Sequence, residues 1–316
     1  MNMNLKDIYL PIQKDLEEVE KEIRRSLQAE DSPLGDIYKH VLLRPGKKIR
    51  PALVLFSAGV NNPQITTLAA SAEIIHIATL IHDDVIDEAT LRRNQTTINS
   101  GWGNETAVLA GDNLFASAFF ILTSSVGPEI MRILSRAAER MCSGEIRQIK
   151  HKFDLDLGEE DYLEIIAEKT GVFMAACCQT GALLGKKDKK VVDILERYGL
   201  DFGIAFQIVD DCFDLMGEEK KLGKSLGSDM RRGKLTLPLI YFLKESNPTP
   251  RSFDELRQSW LASKNGLREK AIRDSLKKAR EYIIRAKEGM KAAEESFFRD
   301  ELLALSDYLL ERGGIQ

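Results

Sequence analysis

The stretch NPQITTLAASAEIIHIATLIHDDVID, residues 62–87, constrains the fold more than any other part of the chain. It is long, mostly apolar, and follows the 3.6-residue period of a helix rather than the alternation of a strand. A helix that is apolar all round has to be enclosed by other helices. Residues 106–124, 165–185 and 199–215 have the same character, so together with 66–87 they are expected at the centre of a bundle. Nearly every other segment is also helix-periodic, including LKDIYLPIQKDLEEVEKEIRRSL near the N-terminus, IRPALVLFSAGV at 49–60, and three charged helices from about residue 251 onward. The glycine-, lysine- and arginine-rich stretch 217–236 interrupts the series and reads as a loop. No internal repeat or low-complexity linker divides the chain. The expectation is one all-α domain spanning residues 1–316, a bundle of ten or more helices around a central apolar cavity, with the charged terminal helices outside.

Composition narrows the class of partner. With 45 basic against 49 acidic residues the net charge is −4, which argues against nucleic acid. The N-terminus meets charges at once and does not read as a signal peptide. The longest charge-free apolar stretches, Asn113–Pro128 and Gly171–Gly185, fall short of the roughly 20 residues of a membrane span. No membrane span and a cytoplasmic location are therefore expected. Cys142, Cys177, Cys178 and Cys212 lack C-x-x-C spacing and are expected to be buried thiols. Without clustered histidines or cysteines, any metal should be a hard cation bound through oxygen.

The candidate site lies where the central helices end. LIHDDVIDEATLRR, residues 80–93, crowds Asp83, Asp84, Asp87 and Glu88 onto one helix terminus. Carboxylates one turn apart repel, and negative charge at a helix C-terminus opposes the macrodipole. Something cationic must offset the cluster: the neighbouring arginines, a metal ion, or both. The pattern D-D-x-x-D recurs as Asp210, Asp211 and Asp214 after a second apolar helix, again followed by basic residues. On a helix, i and i+4 share a face about 6 Å apart, so Asp83 with Asp87 and Asp210 with Asp214 form two carboxylate edges. Either alone could be a solvated helix end. The pair, each with Lys or Arg downstream, points to magnesium bridged to phosphate. The apolar runs AEIIHIATLI and GLDFGIAFQIV would line the space beneath, so the ligand should carry a diphosphate head and a hydrocarbon tail.

At these residues the chain resembles the trans-polyprenyl diphosphate synthase family, along essentially its whole length. GKKIRP (46–51) resembles the first basic motif, LIHDDVIDEATLRR the first aspartate-rich motif, EKTGVF (168–173) the Lys-Thr motif and FQIVDDCFD (206–214) the second aspartate-rich motif. LGKSLGSD (222–229) and GKLTLPLIY (233–241) resemble the lysine-bearing loop and the family segment next to it. The resemblance implies that Asp83, Asp87 and Asp210 bind Mg²⁺ bridging the allylic diphosphate, with Asp211 and Asp214 supporting the second cluster. It assigns Lys47, Arg50, His76 and Arg93 to isopentenyl diphosphate. Arg92, Lys169, Thr170, Gln207, Lys224 and Lys234 match the positions holding the allylic diphosphate. His82 is read as a structural histidine. The chain departs from the family at Pro45, Lys48, Asn94 and Ser225, of which Asn94 tolerates a left-handed turn.

The implied reaction is ionisation of the allylic diphosphate, attack by the double bond of isopentenyl diphosphate, and loss of a proton to the departing diphosphate. Product length would depend on Ile75, Ala78 and Thr79, just upstream of the first aspartate, where small residues at 78 and 79 let a tail pass. The resemblance is closest to long-chain synthases, including the catalytic component of two-component heptaprenyl enzymes that serve quinone side chains. It implies a homodimer and leaves room for a small partner subunit. The rival readings are a short-chain farnesyl or geranylgeranyl diphosphate synthase, a class I terpene cyclase and a silent regulatory subunit. The cyclase's second metal motif is missing and all six aspartates are kept.

Overall fold

The computed structural model describes residues 4–27, 34–43, 46–60, 62–92, 94–216, 227–263, 266–291 and 298–313. In chain order the helices are α1 (Leu5–Tyr9), α2 (Gln13–Ser26), α3 (Gly35–Leu42), α4 (Ile49–Ala58), α5 (Pro63–Ile86), α6 (Ile98–Trp102), α7 (Asn104–Thr123) and α8 (Pro128–Lys150). They continue as α9 (Glu159–Ile166), α10 (Val172–Leu184), α11 (Lys189–Met216), α12 (Ser228–Arg231), α13 (Leu237–Glu245), α14 (Phe253–Ala262), α15 (Leu267–Met290) and α16 (Arg299–Arg312). The all-α expectation holds. Among the described residues the strands are β1 (Leu91–Arg92) and β2 (Gln95–Thr96), an antiparallel pair with Arg92 opposite Gln95. Two residues per strand are too few to leave an alternation in the sequence.

α5 shows how local chemistry places the site. Asn62 caps it by accepting from the Ile65 amide at 3.1 Å, and Pro63 takes the first helical position, where no N–H is needed. From there 24 residues run through the core and end at Ile86, with Asp87 as C-cap, so the first acid cluster occupies the last turn.

Packing runs as a sequence of neighbours: α7 on α5, α5 on α4, α4 on α10, α10 on α11, and α11 on α15. α5, α10 and α11 are interior, as expected. The expectation for 106–124 is corrected. α7 lies at the edge, burying Ala107, Ala110, Leu114, Ala118 and Leu122 while leaving Leu109 66% and Phe120 75% exposed. The interior place belongs instead to α4, in which Ile49 and every residue from Pro51 to Ala58 are buried. A helix apolar on all sides looks the same in sequence whether its second face meets its own core or lies open.

α5 and α7 are both long and apolar enough to cross a bilayer by length and composition, although each carries acidic residues. In α5, 61% of the most apolar window is buried inside the fold, against 33% in α7. Cys177, Cys178 and Cys212 are buried as expected, whereas Cys142 on α8 is exposed.

Candidate active site

The last turn of α5 splits its acids between two faces. Asp84 turns inward, nearly sealed from solvent, and accepts from Arg92 Nε at 2.7 Å. The β1–β2 hairpin, turned through Asn94 at φ 61°, folds Arg92 back onto it. Asp83 and Asp87 share the other face. Asp87 Oδ2 accepts from Lys234 Nζ at 2.8 Å and from Arg232 Nη1 at 3.3 Å. Burial alone would raise its pKa, but Lys234, Arg232 and Lys169 together hold it below the usual carboxylate range. The cluster's repulsion is thus offset by cations from distant parts of the chain as well as by a neighbouring arginine.

Lys169 sits in a single π-helical turn, Ala167–Gly171, between α9 and α10. Such turns widen a helix by one residue and tend to occur at functional positions. The Nζ lies 4.0 Å from Asp83 Oδ1, donates to Gln148 Oε1 at 3.0 Å, and pairs closely with Glu145. Burial would lower its pKa, yet Asp83 and Glu145 carry it above the ordinary lysine value. α8 comes this close because Gly144 faces the π turn, where a Cβ would stand 2.7 Å from the Lys169 amide nitrogen.

The three acids of the second cluster, at the end of α11, have three different environments. Asp210 is exposed, with Arg312 4.0 Å away. Asp211 is buried and accepts from Tyr162 at 2.7 Å and Gln207 at 2.8 Å; burial, with the charge of Asp229, pushes its pKa up to about 8 against those two donors. Asp214 accepts from the Ser228 hydroxyl at 2.7 Å and from the Ser228 and Asp229 amides. The segment 227–234 therefore touches both clusters, with Ser228 and Asp229 on Asp214 and Arg232 and Lys234 on Asp87. A further tie is Thr170, which donates to Gln207 at 2.9 Å.

The basic motif lies beside the first cluster. Arg50, on the first turn of α4, has its guanidinium carbon 5.9 Å from the Phe173 ring centre. Its Nε is buried without a hydrogen-bond partner, and burial lowers its pKa while Glu73 and Asp83 oppose that shift. Lys48 precedes α4 in the left-handed region at φ 53°, and the Lys47 carbonyl accepts from Tyr9 of α1 at 3.0 Å. His76 is half-buried one turn after the buried Glu73, and its carbonyl accepts from Thr79 Oγ1 at 2.7 Å. Ile75 and Ala78 are fully buried. His82 has the structural role read from sequence, with Nε2 3.2 Å from the Val108 carbonyl. Arg93, Lys224, Pro45 and Ser225 lie outside the described residues. Sequence reasoning missed Glu145, Gln148, Tyr162 and Arg232; the one available signal was Gly144, a glycine in the interior of a long helix-periodic segment.

An all-α bundle that brings two acidic helix ends under a rim of lysine and arginine defines the class, an isoprenoid-synthase fold. The chain belongs to the polyprenyl synthetase family, whose profile matches residues 31–274, and it is a prenyltransferase. It is 40% identical over 246 residues to heptaprenyl diphosphate synthase component 2 of Geobacillus stearothermophilus, covering 77% of each chain. The crystal structure of a polyprenyl synthase from Caulobacter crescentus, complexed with calcium and isoprenyl diphosphate, superposes with a TM-score of 0.89 at 30% identity over 98% of both chains. Geranylgeranyl pyrophosphate synthetase from Pyrococcus horikoshii gives 0.86 at 28% identity, over 97% of this chain and 98% of that one.

Proposed function

We propose that the protein elongates an allylic prenyl diphosphate with isopentenyl diphosphate to a long-chain all-trans polyprenyl diphosphate, for quinone side chains, in a Mg²⁺-dependent reaction in the cytoplasm. The observation that carries this reading is the cationic rim on the first acid cluster: Lys169, Arg232 and Lys234 converge on Asp83 and Asp87 from two separate segments. Their charges match a diphosphate once the carboxylates turn to metal.

The donor set fits magnesium. Asp87 Oδ1 is buried without a hydrogen-bond partner, and the acids offer only hard oxygen. Among the described residues no three His, Cys, Asp or Glu side chains form a ready-made metal centre. Asp83, Asp87 and Asp210 would hold the magnesium, and the bound ion would neutralise charge on the leaving diphosphate. Lys169 and Lys234, with Arg92, Thr170, Gln207 and Lys224, then orient that diphosphate. Lys47, Arg50, His76 and Arg93 hold isopentenyl diphosphate, and the buried apolar wall around Ile75 and Ala78 keeps water from the allylic cation.

The name of the Geobacillus relative supports long chain and a second subunit. The Pyrococcus neighbour supports a geranylgeranyl product instead. The exposed apolar side of α7 supports a homodimer. The test is turnover of isopentenyl with farnesyl diphosphate, with and without Mg²⁺, and chromatography of the hydrolysed products. Elongation beyond 20 carbons that stops on chelation is expected. Asp83→Ala and Asp210→Ala should each slow it by at least about a hundredfold. Products ending at 20 carbons would favour the short-chain reading, and rates within tenfold of wild type in both variants would remove the aspartates from the mechanism.

A further inference from the structure

Tyr162 lies on α9, eight positions before Thr170, and both reach α11. At about 100° per residue, positions eight apart on a regular helix point roughly 80° away from each other, whereas positions seven apart nearly align. The π turn at Ala167–Gly171 absorbs the extra residue and brings the two side chains onto one face. There they meet Gln207 and Asp211, themselves one turn apart on α11. The hydrogen bonds form an unbroken chain: Thr170 Oγ1 donates to Gln207 Oε1 at 2.9 Å, Gln207 Nε2 donates to Asp211 Oδ1 at 2.8 Å, and Tyr162 Oη donates to Asp211 Oδ2 at 2.7 Å. Thr170, Asp211 and Tyr162 are all buried, so these groups have little water to turn to.

The geometry fixes two things. The Gln207 amide is held one way round, because its oxygen faces a hydroxyl donor and its nitrogen a carboxylate. The end of α11 is fixed in rotation, because Asp211 is tied to α9 on one side and Asp214 to residues 228–229 on another. Adjacent helical positions diverge by about 100°. With Asp211 drawn inward, Asp210 is left outside, and it is the exposed member of the cluster.

We propose that Tyr162 is a positioning residue of the prenyltransferase: through Asp211 and Gln207, and in register with Thr170 by means of the π turn, it sets the direction in which Asp210 presents its carboxylate. It makes no contact with substrate or metal itself. The inference rests on the reading of Asp210 as a metal ligand.

Tyr162→Phe keeps the ring and removes the donor. Partners behind a metal ligand typically contribute ten- to a hundredfold in metal affinity. The variant should therefore need about tenfold more Mg²⁺ for half-maximal rate, and should bind Mn²⁺ with inorganic pyrophosphate about tenfold more weakly by paramagnetic resonance, while its KM for isopentenyl diphosphate stays within about twofold. Thr170→Val cuts the far end of the chain. It should shift Mn²⁺ binding in the same direction, and the double variant should lose less than the product of the two single effects. If Tyr162→Phe does not fold, Thr170→Val carries the test through Mn²⁺ binding measured without pyrophosphate, a readout that loss of a direct Thr170–diphosphate contact leaves unchanged. A lowered melting temperature with Mg²⁺ and Mn²⁺ responses unchanged would mean that the chain only packs, and would overturn the proposal. If Asp210→Ala itself leaves Mn²⁺ binding intact, the metal reading fails. If Asp210→Ala weakens binding while Tyr162→Phe and Thr170→Val match wild type, only the positioning role fails.

Discussion

Lys234 Nζ donates to Asp87 Oδ2 across 2.8 Å, joining residues 147 positions apart in the chain. Both side chains are largely sealed, at 7% and 9% exposure. Two charges withdrawn from water this far stabilise the fold only as a pair, and removing one strands the other. Lys234→Met should lower unfolding free energy by about 3 kcal/mol, the low end for a broken buried pair, because Arg232 remains within reach of the carboxylate. Urea unfolding of wild type and variant measures it. A loss below about 0.5 kcal/mol, the level of a surface substitution, would show that Arg232 alone neutralises Asp87.

The same pair has a pH signature. The folded-state pKa of Asp87 lies below its ordinary value, held there by cations against burial. A depressed carboxylate contributes stability that is complete above the unfolded-state pKa and is lost as pH falls through the folded-state value. The difference in melting temperature between wild type and Asp87→Asn should therefore be largest at about pH 5 to 7, and should shrink as acid protonates Asp87. A difference that stays constant down to the acid limit would place the variant's effect in packing rather than charge.

How far the site was legible in sequence depended on whether the signal was local. D-D-x-x-D is a spacing, and the structure brings both copies of it to one mouth through segment 227–234. What the spacing did not reveal is that its members differ. Asp84 holds Arg92, Asp211 is hydrogen-bonded internally, and Asp214 caps a turn, because a helix end has an inner and an outer side that the string of letters does not distinguish. Glu145 and Gln148 were invisible for another reason. Their role depends on α8 meeting the π turn, and neither that contact nor the extra residue in the turn is written in a hydrophobic period. The interior place of α4 and the edge place of α7 were exchanged because apolarity reports burial without saying against what.

The α7 edge leads to a prediction about assembly. Leu109 and Phe120 are exposed apolar side chains three turns apart on one side of α7, with Ala116 between them and Asp112 and Asn113 beside them, and large exposed apolar side chains grouped this way point to an interaction surface. Placing charge in a symmetric interface sets like against like across the two-fold axis. Leu109→Asp with Phe120→Glu should shift the protein from dimer to monomer in light scattering at micromolar concentration. A wild-type protein that is itself monomeric and fully active would remove the dimer from the account.

Chain length offers the sharpest test of how the core serves the reaction. Ala78 is fully buried on α5, five positions and more than one turn before Asp83. Ala78 carries only a methyl, and Ile75, also fully buried, lies one turn deeper. A phenylalanine at 78 would put a ring where an elongating tail has to pass. Overpacking against such a ring costs about 1–3 kcal/mol, which at 1.36 kcal/mol per factor of ten slows each further addition by roughly ten- to a hundredfold. The diphosphate end is untouched, so ionisation and the first condensation should proceed. Ala78→Phe should thus remain active while its main product falls to ~15 to 20 carbons, as the blocked intermediate leaves faster than it is extended. Radiolabelled isopentenyl diphosphate and reversed-phase chromatography of the hydrolysed products measure the shift, and a melting temperature near wild type confirms that the ring is accommodated. An active variant with the wild-type product distribution would mean that the tail does not run past Ala78 and that another helix sets the length.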